Sequence, residues 1–429
     1  MSRILAGAPG GWPQRYNMMI LLLAALLLCY IDRILISVAG IEMQRELGWS
    51  DADKGLVFSA FFLGYLCTQL LGGILANRFG GRNVFLLAVF GWSLMTVLTP
   101  AAAYAGFTLL VLARFLLGFG EGAAYPSAYN LIYGWMPGTE ISRSVGLISA
   151  AAALGTVFAL LVVGKFIELW GWPSVFYTFG AMGVVWCVLW YFIVPATPVS
   201  SQEQDTEAGN VAIRAAPIPW KSFFSHSPIL PLYVAFIAFG CVSYTVASWL
   251  PSYFVDTYQS GLVQAGAYSI LPWLVNAVVT VWAGVLADRW IRGGQSRLGV
   301  RKKLFALGMA GTASGCLLLT IASQAWHAVA AVSLLFGSLG ITVPGFVPVV
   351  GELFPRHGEV LYGFMAATAS ICSSVVVALT GILLDKTGSY NAVFMLLAVL
   401  CTLGIALFQS YASVTPILPE DREPADPVA

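Results

Sequence analysis

Long apolar runs alternate with short polar segments along the whole chain, and this alternation determines the predicted fold class. We mark twelve apolar runs, separated by stretches that hold Gly, Pro or charged residues. Runs of about 20 apolar residues span the hydrocarbon core of a bilayer. Each run is predicted to be helical, because an open strand in lipid leaves its backbone groups unpaired. The predicted spans are 17–39, 54–76, 84–104, 106–132, 145–167, 174–195, 229–254, 264–287, 303–322, 328–350, 360–384 and 391–412.

Composition agrees with a multi-pass membrane protein. Of the 429 residues 59% are hydrophobic and 10% are charged, and the mean hydropathy is +0.83. Soluble domains carry about 25% charged residues, so a soluble enzyme, a disordered chain and a nucleic-acid binder are excluded. The seven cysteines lie in apolar runs without metal-ligand spacing. We interpret them as small buried hydrophobic residues, and we expect neither a metal nor a cofactor.

The distribution of basic residues predicts the orientation of the chain. Of the 21 Lys and Arg residues, fifteen lie in segments on the same side as the N-terminus, four on the other side and two within spans. Cytoplasmic segments carry the excess of Lys and Arg. Both termini are therefore predicted to be cytoplasmic, in a multi-pass membrane protein. We expect a monomer.

A polar, proline-containing segment divides the twelve spans into two sets of six. We interpret this segment, 196–227, as a cytoplasmic linker. The predicted organisation is an N-terminal six-helix half (1–195), the linker, a C-terminal six-helix half (228–412) and a cytoplasmic tail (413–429).

A short sequence recurs after the second span of each half. The chain reads GGILANRFGGR from Gly72 to Arg82 and AGVLADRWIRGG from Ala283 to Gly294. A parallel repeat of two six-helix halves is the layout of the major facilitator superfamily. The motif G-x-L-A-[DN]-R resembles the loop signature of that superfamily, although the first copy has Asn where Asp is usual; the alternative is that a basic loop only sets topology. The candidate gating residues are Gly73, Asn77, Arg78, Arg82, Asp288 and Arg289.

Four charged residues lie well inside apolar runs of the first half, away from the ends of the runs: Asp32, Arg33, Arg114 and Glu121. Each costs roughly 3 kcal/mol at the centre of a membrane helix, so such residues are functional or paired. A guanidinium suits a carboxylate substrate, and a buried carboxyl suits proton coupling because its protonation depends on its surroundings. The alternative is a set of static salt bridges.

Spacing and neighbouring residues refine this candidate site. Arg114 and Glu121 are seven residues apart, which places them on one helix face about 10 Å apart along the axis. Tyr30 and Tyr65 lie deep in spans, where each hydroxyl needs a partner from a substrate or from a neighbouring helix. Gly118 and Gly122 near Glu121 fit either close approach of substrate or a packing seam between helices.

These residues belong to segments that resemble one family. YIDR in the first span, FFLGYLCTQLLGGILANRFGGR in and after the second, and RFLLGFGEGAAYP in the fourth are similar to the anion:cation symporter family of the major facilitator superfamily. That family includes bacterial galactonate and hexuronate transporters and the sialin, vesicular glutamate and phosphate carriers. The resemblance implies twelve transmembrane helices in two halves related by a pseudo-two-fold axis.

The resemblance also implies roles for individual residues. It implies that Asp32 and Glu121 carry protons, and that Arg33 contacts the substrate carboxylate with Arg114 close to the acids. Tyr30 and Tyr65 correspond to tyrosines that line the sugar site. Three further substrate-contacting positions of galactonate-type members are not matched, because they fall near Ala152, near Val347 and near Ser370 or Ile371 here. The short loop after the first span, from Gly40 to Asp53, lacks the insertion common in eukaryotic members, so the resemblance favours a bacterial inner-membrane protein.

The resulting expectation is a secondary transporter that takes up a small organic anion, such as a sugar acid, together with protons by alternating access. Two transport alternatives stay open, namely a proton-coupled antiporter or exporter of metabolites or drugs, and a sodium-coupled anion carrier for phosphate. A membrane enzyme is disfavoured because the three histidines lie at span ends or in loops. A sensor that moves no solute stays open as well.

Overall fold

The described part of the chain is entirely helical. The structure is a computed structural model that describes residues 13–195, 220–354 and 357–418. These residues form fourteen helices and no strand, which confirms the predicted all-α class. The helices are α1 (Gln14–Leu47), α2 (Asp51–Phe79), α3 (Gly81–Ala105), α4 (Phe107–Gly122), α5 (Ala124–Trp135), α6 (Gly138–Trp170), α7 (Pro173–Ile193), α8 (Ser222–Ser225), α9 (Leu230–Tyr258), α10 (Leu262–Arg292), α11 (Arg297–Thr320), α12 (Ala325–Leu353), α13 (Gly358–Thr387) and α14 (Asn391–Tyr411).

Helix length and hydropathy agree with a multi-pass membrane protein. Among the described residues eleven helical segments are long and apolar enough to cross a bilayer, with α4 and α5 counted as one segment. A twelfth candidate, α2, meets the criteria when its two segments, Asp51–Gln69 and Leu71–Phe79, are taken together across a bend of 47°. Each of the twelve predicted spans overlaps one of these twelve candidates.

Several helices extend beyond the apolar runs that predicted them. The helix α2 includes Asn77 and Arg78, and α10 includes Asp288 and Arg289, although the repeated motif was expected in loops. An apolar run marks only the hydrocarbon core, whereas the helix continues into the interfacial region, where charged side chains are solvated.

The fourth predicted span is broken just after Glu121. The helix α4 ends at Gly122 and α5 begins at Ala124. Pro126 therefore lies in the first turn of α5, where its missing N–H removes no intrahelical hydrogen bond. The break lies directly after Glu121, so the candidate site includes the C-terminal end of α4.

The connection between α1 and α2 is fixed by local signals. The helix α1 ends at Gly48, whose φ of 69° is a left-handed conformation that glycine adopts without strain. Ser50 then caps α2: its hydroxyl accepts from the Asp53 N–H, and the Asp53 carboxylate accepts from the Ser50 N–H. This short connection makes α1 and α2, which both carry predicted site residues, neighbours in sequence and in space.

Two compact units divide the described residues. The first holds residues up to 195 together with Gly261–Ala267, and the second holds the remainder from 220 onward. In the first unit α1 packs on α6, α2 on α4, and α3 on both α4 and α7. In the second unit α9 packs on α13, and α11 packs on both α12 and α14. The predicted linker (196–227) and tail (413–429) stay predictions, since 196–219 and 419–429 lie outside the described residues.

The prediction that every cysteine is buried is wrong for two of the seven. Cys67 is exposed and Cys372 is half-buried. An apolar run in a membrane helix needs no burial against protein, because one side of the helix can face lipid tails that are equally apolar.

Candidate functional site

An ion pair between α1 and α4 forms the centre of the candidate site. The Nε of Arg33 donates to Oε2 of Glu121 across 2.7 Å. The Glu121 side chain has no exposed surface, whereas 20% of the Arg33 side chain is exposed. A guanidinium has five N–H donors in one plane, and the Nη2 of Arg33 has no hydrogen-bond partner among the described residues. Arg33 therefore holds Glu121 with one edge and keeps donor capacity for a ligand.

Aromatic rings surround the guanidinium of Arg33. Its Cζ lies 4.7 Å from the ring centroid of Tyr65, 4.8 Å from that of Tyr30 and 5.5 Å from that of Phe61. A cation is attracted to the face of an aromatic ring, and the attraction is stronger when both are removed from water. The rings hold the guanidinium without using its N–H groups, so those groups stay available for an anion.

Tyr125, on α5, contacts one of the rings that surround Arg33. Its hydroxyl donates to the hydroxyl of Tyr30 across 3.2 Å, and the two rings meet edge to face with centroids 6.4 Å apart. Two hydroxyls that already contact each other present a donor and acceptor surface suited to the hydroxyl groups of a ligand. The hydroxyl of Tyr30 was expected to need a partner from a substrate or from a neighbouring helix. The structure provides one from a neighbouring helix.

Asp32 faces α3, away from the ion pair. Its Oδ2 accepts from the Thr96 hydroxyl across 3.3 Å, and its Oδ1 is buried without a hydrogen-bond partner among the described residues. Asp32 is only 3% exposed. Consecutive helix residues point about 100° apart, which explains why Asp32 and Arg33 reach different helices, as predicted from their spacing.

Arg114 lies beside one of these aromatic rings and has no carboxylate partner among the described residues. It is 2% exposed, and its Cζ lies 5.3 Å from the ring centroid of Phe61. None of the ion pairs within the described residues includes Arg114. Its Nε and Nη1 are buried and have no hydrogen-bond partner there. The alternative interpretation, a set of static salt bridges, therefore describes Arg33 and Glu121. It does not describe Arg114 or Asp32.

Glycines allow α4 to approach α2 at the level of the site. A Cβ at Gly118 would overlap the carbonyl oxygen of Phe61, and one at Gly122 would overlap that of Tyr65. From the other side, a Cβ at Gly64 would overlap the carbonyl oxygen of Phe115. The packing-seam interpretation of Gly118 and Gly122 therefore agrees with the geometry.

The loop motif of the first unit forms a small polar network at the ends of α2 and α3. Asn130 of α5 donates from Nδ2 to Oδ1 of Asn77 across 2.8 Å and accepts at Oδ1 from the Gly81 N–H across 3.1 Å. Arg82 donates to the carbonyls of Val194, across 2.7 Å, and Tyr191, across 3.0 Å. These contacts tie the α2–α3 junction to α5 and α7.

The remaining residues of the repeated motif make fewer contacts than Asn77 and Arg82. Arg78 is exposed and contacts the ring of the adjacent Phe79, and a Cβ at Gly73 would meet no atom within 4 Å. In the second unit Asp288 and Arg289 are exposed in the last turns of α10. The geometry thus gives Asn77 and Arg82 structural partners and leaves gating by the whole motif a prediction.

The buried ion pair at the end of the second unit was not predicted. Arg301 at the start of α11 donates from Nη2 to Oε1 of Glu352 across 2.9 Å and from Nη1 to the Pro344 carbonyl across 2.8 Å. It joins the start of α11 to the end of α12, which pack together closely.

The sequence identified the charged residues and two tyrosines of the site but not their uncharged partners. Cys29, Phe61, Thr96 and Tyr125 all contact predicted site residues. Cys29 lies four residues before Arg33, one helical turn away, which is the available signal for it. No group of three His, Cys, Asp or Glu side chains suited to a metal ion is present in residues 13–195, 220–354 and 357–418.

Comparison with known proteins identifies transporters. The chain is 34% identical to probable anion transporter 4, chloroplastic, of Oryza sativa subsp. japonica over 95% of this chain and 70% of that protein. It is 33% identical to the chloroplastic ascorbate transporter of Arabidopsis thaliana, over 95% of this chain and 76% of that protein. The chloroplastic sodium-dependent phosphate transport protein 1 of Arabidopsis thaliana is 32% identical, over 95% of this chain and 81% of that protein.

Solved structures agree on the fold. A bacterial homologue of the human lysosomal transporter Spinster, in an inward-facing and occupied conformation, matches with a TM-score of 0.73 at 20% identity, covering 94% of this chain and 97% of that chain. A D-xylose-proton symporter matches with a TM-score of 0.72 at 18% identity, covering 93% and 98% of the two chains. The Major Facilitator Superfamily profile matches residues 21–296 and 293–428. The chain is therefore a multi-pass membrane transporter that belongs to the major facilitator superfamily, within its anion:cation symporter family.

Proposed function

We propose that the chain is a proton-coupled symporter that takes up a small organic anion, such as a sugar acid, by alternating access. One observation carries the proposal. The guanidinium of Arg33, which is surrounded by aromatic rings, binds the buried carboxylate of Glu121 and also has a nitrogen without a hydrogen-bond partner among the described residues. An anion-binding group and a carboxyl suited to carry a proton thus meet on one side chain.

The substrate class follows from the groups around Arg33. A guanidinium binds a carboxylate through two parallel N–H donors. The hydroxyls of Tyr30 and Tyr125, 3.2 Å apart, suit the hydroxyl groups of a sugar acid. The named relatives include an ascorbate transporter and two anion or phosphate transporters, and ascorbate is a hydroxylated anion. A hydroxylated organic anion is therefore preferred over phosphate.

Charge balance supports coupling to protons. The four charged residues of the site, Asp32, Arg33, Arg114 and Glu121, sum to zero when both carboxyls are ionised. A bound monoanion adds one negative charge, and an uncompensated charge is costly in a site without water. One proton on Glu121 or Asp32 restores neutrality, so we expect at least one proton for each monoanion.

Sodium coupling is the second candidate, because one relative is named a sodium-dependent phosphate transporter. A bound cation needs oxygen lone pairs that are free of hydrogen-bond donors. Oε1 of Glu121 and Oδ1 of Asp32 have no hydrogen-bond donor among the described residues, whereas the other oxygen of each carboxyl accepts from Arg33 and Cys29 or from Thr96. Each carboxyl thus offers one free oxygen, which is enough for a proton, whereas a sodium ion needs a shell of several oxygen ligands; this favours protons over sodium.

The setting of the transporter belongs to the same proposal. We assign the chain to a bacterial inner membrane as a monomer with both termini in the cytoplasm, although the relatives named above are chloroplastic. The two six-helix halves (1–195 and 228–412) are expected to alternate access to Arg33, with the repeated motif around Asn77 and Asp288 at their cytoplasmic ends. Cysteine-accessibility labelling of the termini in sealed vesicles tests the orientation.

Uptake into proteoliposomes tests the proposal. Labelled galactonate, glucuronate, ascorbate, glutamate and phosphate are supplied with an inward proton gradient, an inward sodium gradient or neither, and Arg33→Ala serves as the variant. We expect proton-driven uptake of a hydroxylated acid that is lost in Arg33→Ala. Uptake driven by sodium alone would replace the proton by sodium, and no uptake of any anion, or uptake indifferent to Arg33, would overturn the assignment.

A further inference from the structure

The thiol of Cys29 shares a carboxylate oxygen with Arg33. Sγ of Cys29 donates to Oε2 of Glu121 across 3.3 Å, and Nε of Arg33 donates to the same oxygen across 2.7 Å. The two donors are four residues apart on α1, so they lie on one helix face. Cys29 and Glu121 both have no exposed surface. The other oxygen, Oε1, is buried without a hydrogen-bond partner among the described residues.

This thiol differs from the other thiols whose contacts are resolved. Cys67 donates to the main-chain carbonyl of Leu63, and Cys241 accepts from the Ser373 hydroxyl. Within residues 13–195, 220–354 and 357–418 no other thiol donates to a carboxylate. Cys29 is therefore more than the small hydrophobic residue that its apolar run suggested.

We propose that Cys29 is a positioning residue that keeps the Glu121 carboxyl oriented during proton exchange. The inference rests on the proton-coupled transport proposed above. Arg33 is shared between Glu121 and the anion, so its hold on Glu121 weakens when the anion binds. Cys29 has no such second partner. A thiol is a weak donor and also a weak acceptor, so it can donate to the carboxylate and accept from the protonated carboxyl.

Other charged or titratable groups act on Glu121 and must be held constant in a test. Arg114 and Asp32 are close enough for their charges to interact with it. On α3 the charged or titratable residues are Arg82 and Tyr104, at the two ends of the helix. The groups that face or flank Glu121 are Cys29, Tyr30, Asp32 and Arg33 on α1, Tyr65 on α2, Arg114 on α4, and Tyr125 on α5.

Transport at a series of pH values separates this role from simple packing. Cys29→Ala removes the donor, Cys29→Ser keeps a donor of similar size, and Cys316→Ala is the matched control at a buried thiol of the second unit. For Cys29→Ala we expect the pH midpoint of uptake to move upward by about half a unit to one unit, since the carboxylate loses a donor that stabilises its charged form. KM for the anion should change by less than about twofold. Cys29→Ser should restore the wild-type midpoint, and Cys316→Ala should not move it.

An infrared measurement tests the contact without transport. The S–H stretching band of Cys29 is obtained as the difference between wild type and Cys29→Ser. We expect the band to shift in Glu121→Gln, because an amide is a weaker acceptor than a carboxylate. An unshifted band would show that the thiol does not donate to Glu121 and would overturn the inference.

The two proposals fail in different ways. Proton-independent uptake in wild type would overturn the proposed function, and with it the role of Cys29 in coupling. Proton-coupled uptake with the same pH midpoint in wild type and in Cys29→Ala would overturn the role of Cys29 alone. Loss of uptake in Cys29→Ala that Cys29→Ser does not restore would indicate a packing role and would also overturn the inference.

Discussion

The Nε of Arg33 lies 2.7 Å from Oε2 of Glu121, and the two residues are 88 positions apart in the sequence. The contact joins the proposed anion-binding residue on α1 to a proposed proton carrier on α4. When the anion binds the other edge of Arg33, the hold of Arg33 on Glu121 weakens and the carboxyl gains affinity for a proton. Substrate binding and protonation are then linked through one guanidinium.

Arg33 should not be replaceable by lysine. Lysine keeps the charge, but it offers a compact ammonium in place of a planar fork and cannot hold Glu121 and a carboxylate on two edges. We expect Arg33→Lys to lower kcat/KM for uptake by about 100-fold, the equivalent of about 3 kcal/mol. Concentration-dependent uptake in proteoliposomes measures this. The exposed Arg45, which pairs with Glu42 across 2.7 Å, is the matched control, and Arg45→Lys should leave kcat/KM unchanged. Wild-type kinetics in Arg33→Lys would contradict the bidentate role.

Glu121→Gln should separate exchange from accumulation. The amide cannot take up a proton, yet it can still accept from Arg33, so the site should still bind the anion. We expect substrate counterflow to persist at more than about one tenth of the wild-type rate, while proton-driven accumulation is lost. Counterflow and gradient-driven uptake are measured on the same vesicles, with Glu42→Gln, at a half-buried glutamate outside the site, as the control. Full accumulation in Glu121→Gln would assign proton carriage to another group, with Asp32 the next candidate.

Gly118→Ala should destabilise the first unit. Its methyl group would overlap the carbonyl oxygen of Phe61 on α2, and backbone atoms there cannot move aside as a flexible side chain could. We expect a loss of roughly 1–3 kcal/mol, seen as a lower melting temperature in detergent. Gly91→Ala on α3 is the control, because a Cβ there meets no atom within 4 Å. That variant should be neutral or slightly more stable, and equal melting temperatures for the two variants would refute the packing seam.

Asn130 should matter more for its amide than for its size. Asn130→Leu leaves the Gly81 N–H and the Asn77 side chain without their present partner, and we expect a loss of about 1–3 kcal/mol of stability. Asn77→Asp should be tolerated, because a carboxylate can also accept from Nδ2 of Asn130. Thermal unfolding of both variants measures this, and an Asn130→Leu variant as stable as wild type would show that the network contributes little.

The charged part of the site was predictable because the bilayer makes such residues conspicuous. A charge inside an apolar run is costly, and the four that occur drew attention to α1 and α4. Their pairing was not predictable. Either Arg33 or Arg114 could have paired with Glu121. Only the packing of α1 within the first unit shows that Arg33 makes the contact.

The uncharged part of the site was missed for the opposite reason. Phe61, Thr96 and Tyr125 are ordinary residues of membrane helices, and nothing in one sequence separates them from residues that face lipid. Cys29 has one signal, its position one helical turn before Arg33. The fold was predictable in the number and order of its candidate spans, since hydropathy reports the spans directly. The break at Ala123 lies three residues before Pro126, which fits into the first turn of α5.

The close packing of α2 and α4 at their glycines fixes the position of these two helices relative to each other. The transport cycle has to preserve that position. Carbonyl oxygens of Phe61 and Tyr65 occupy the places where side chains of α4 would otherwise stand, so the two helices cannot slide along each other without steric overlap. In the proposed alternating-access cycle, Tyr65 and Glu121 therefore keep one separation whichever side of the membrane is open. A limit on substrate size that arises between these two residues would apply equally to entry and to release, and selectivity would be the same in both directions of transport.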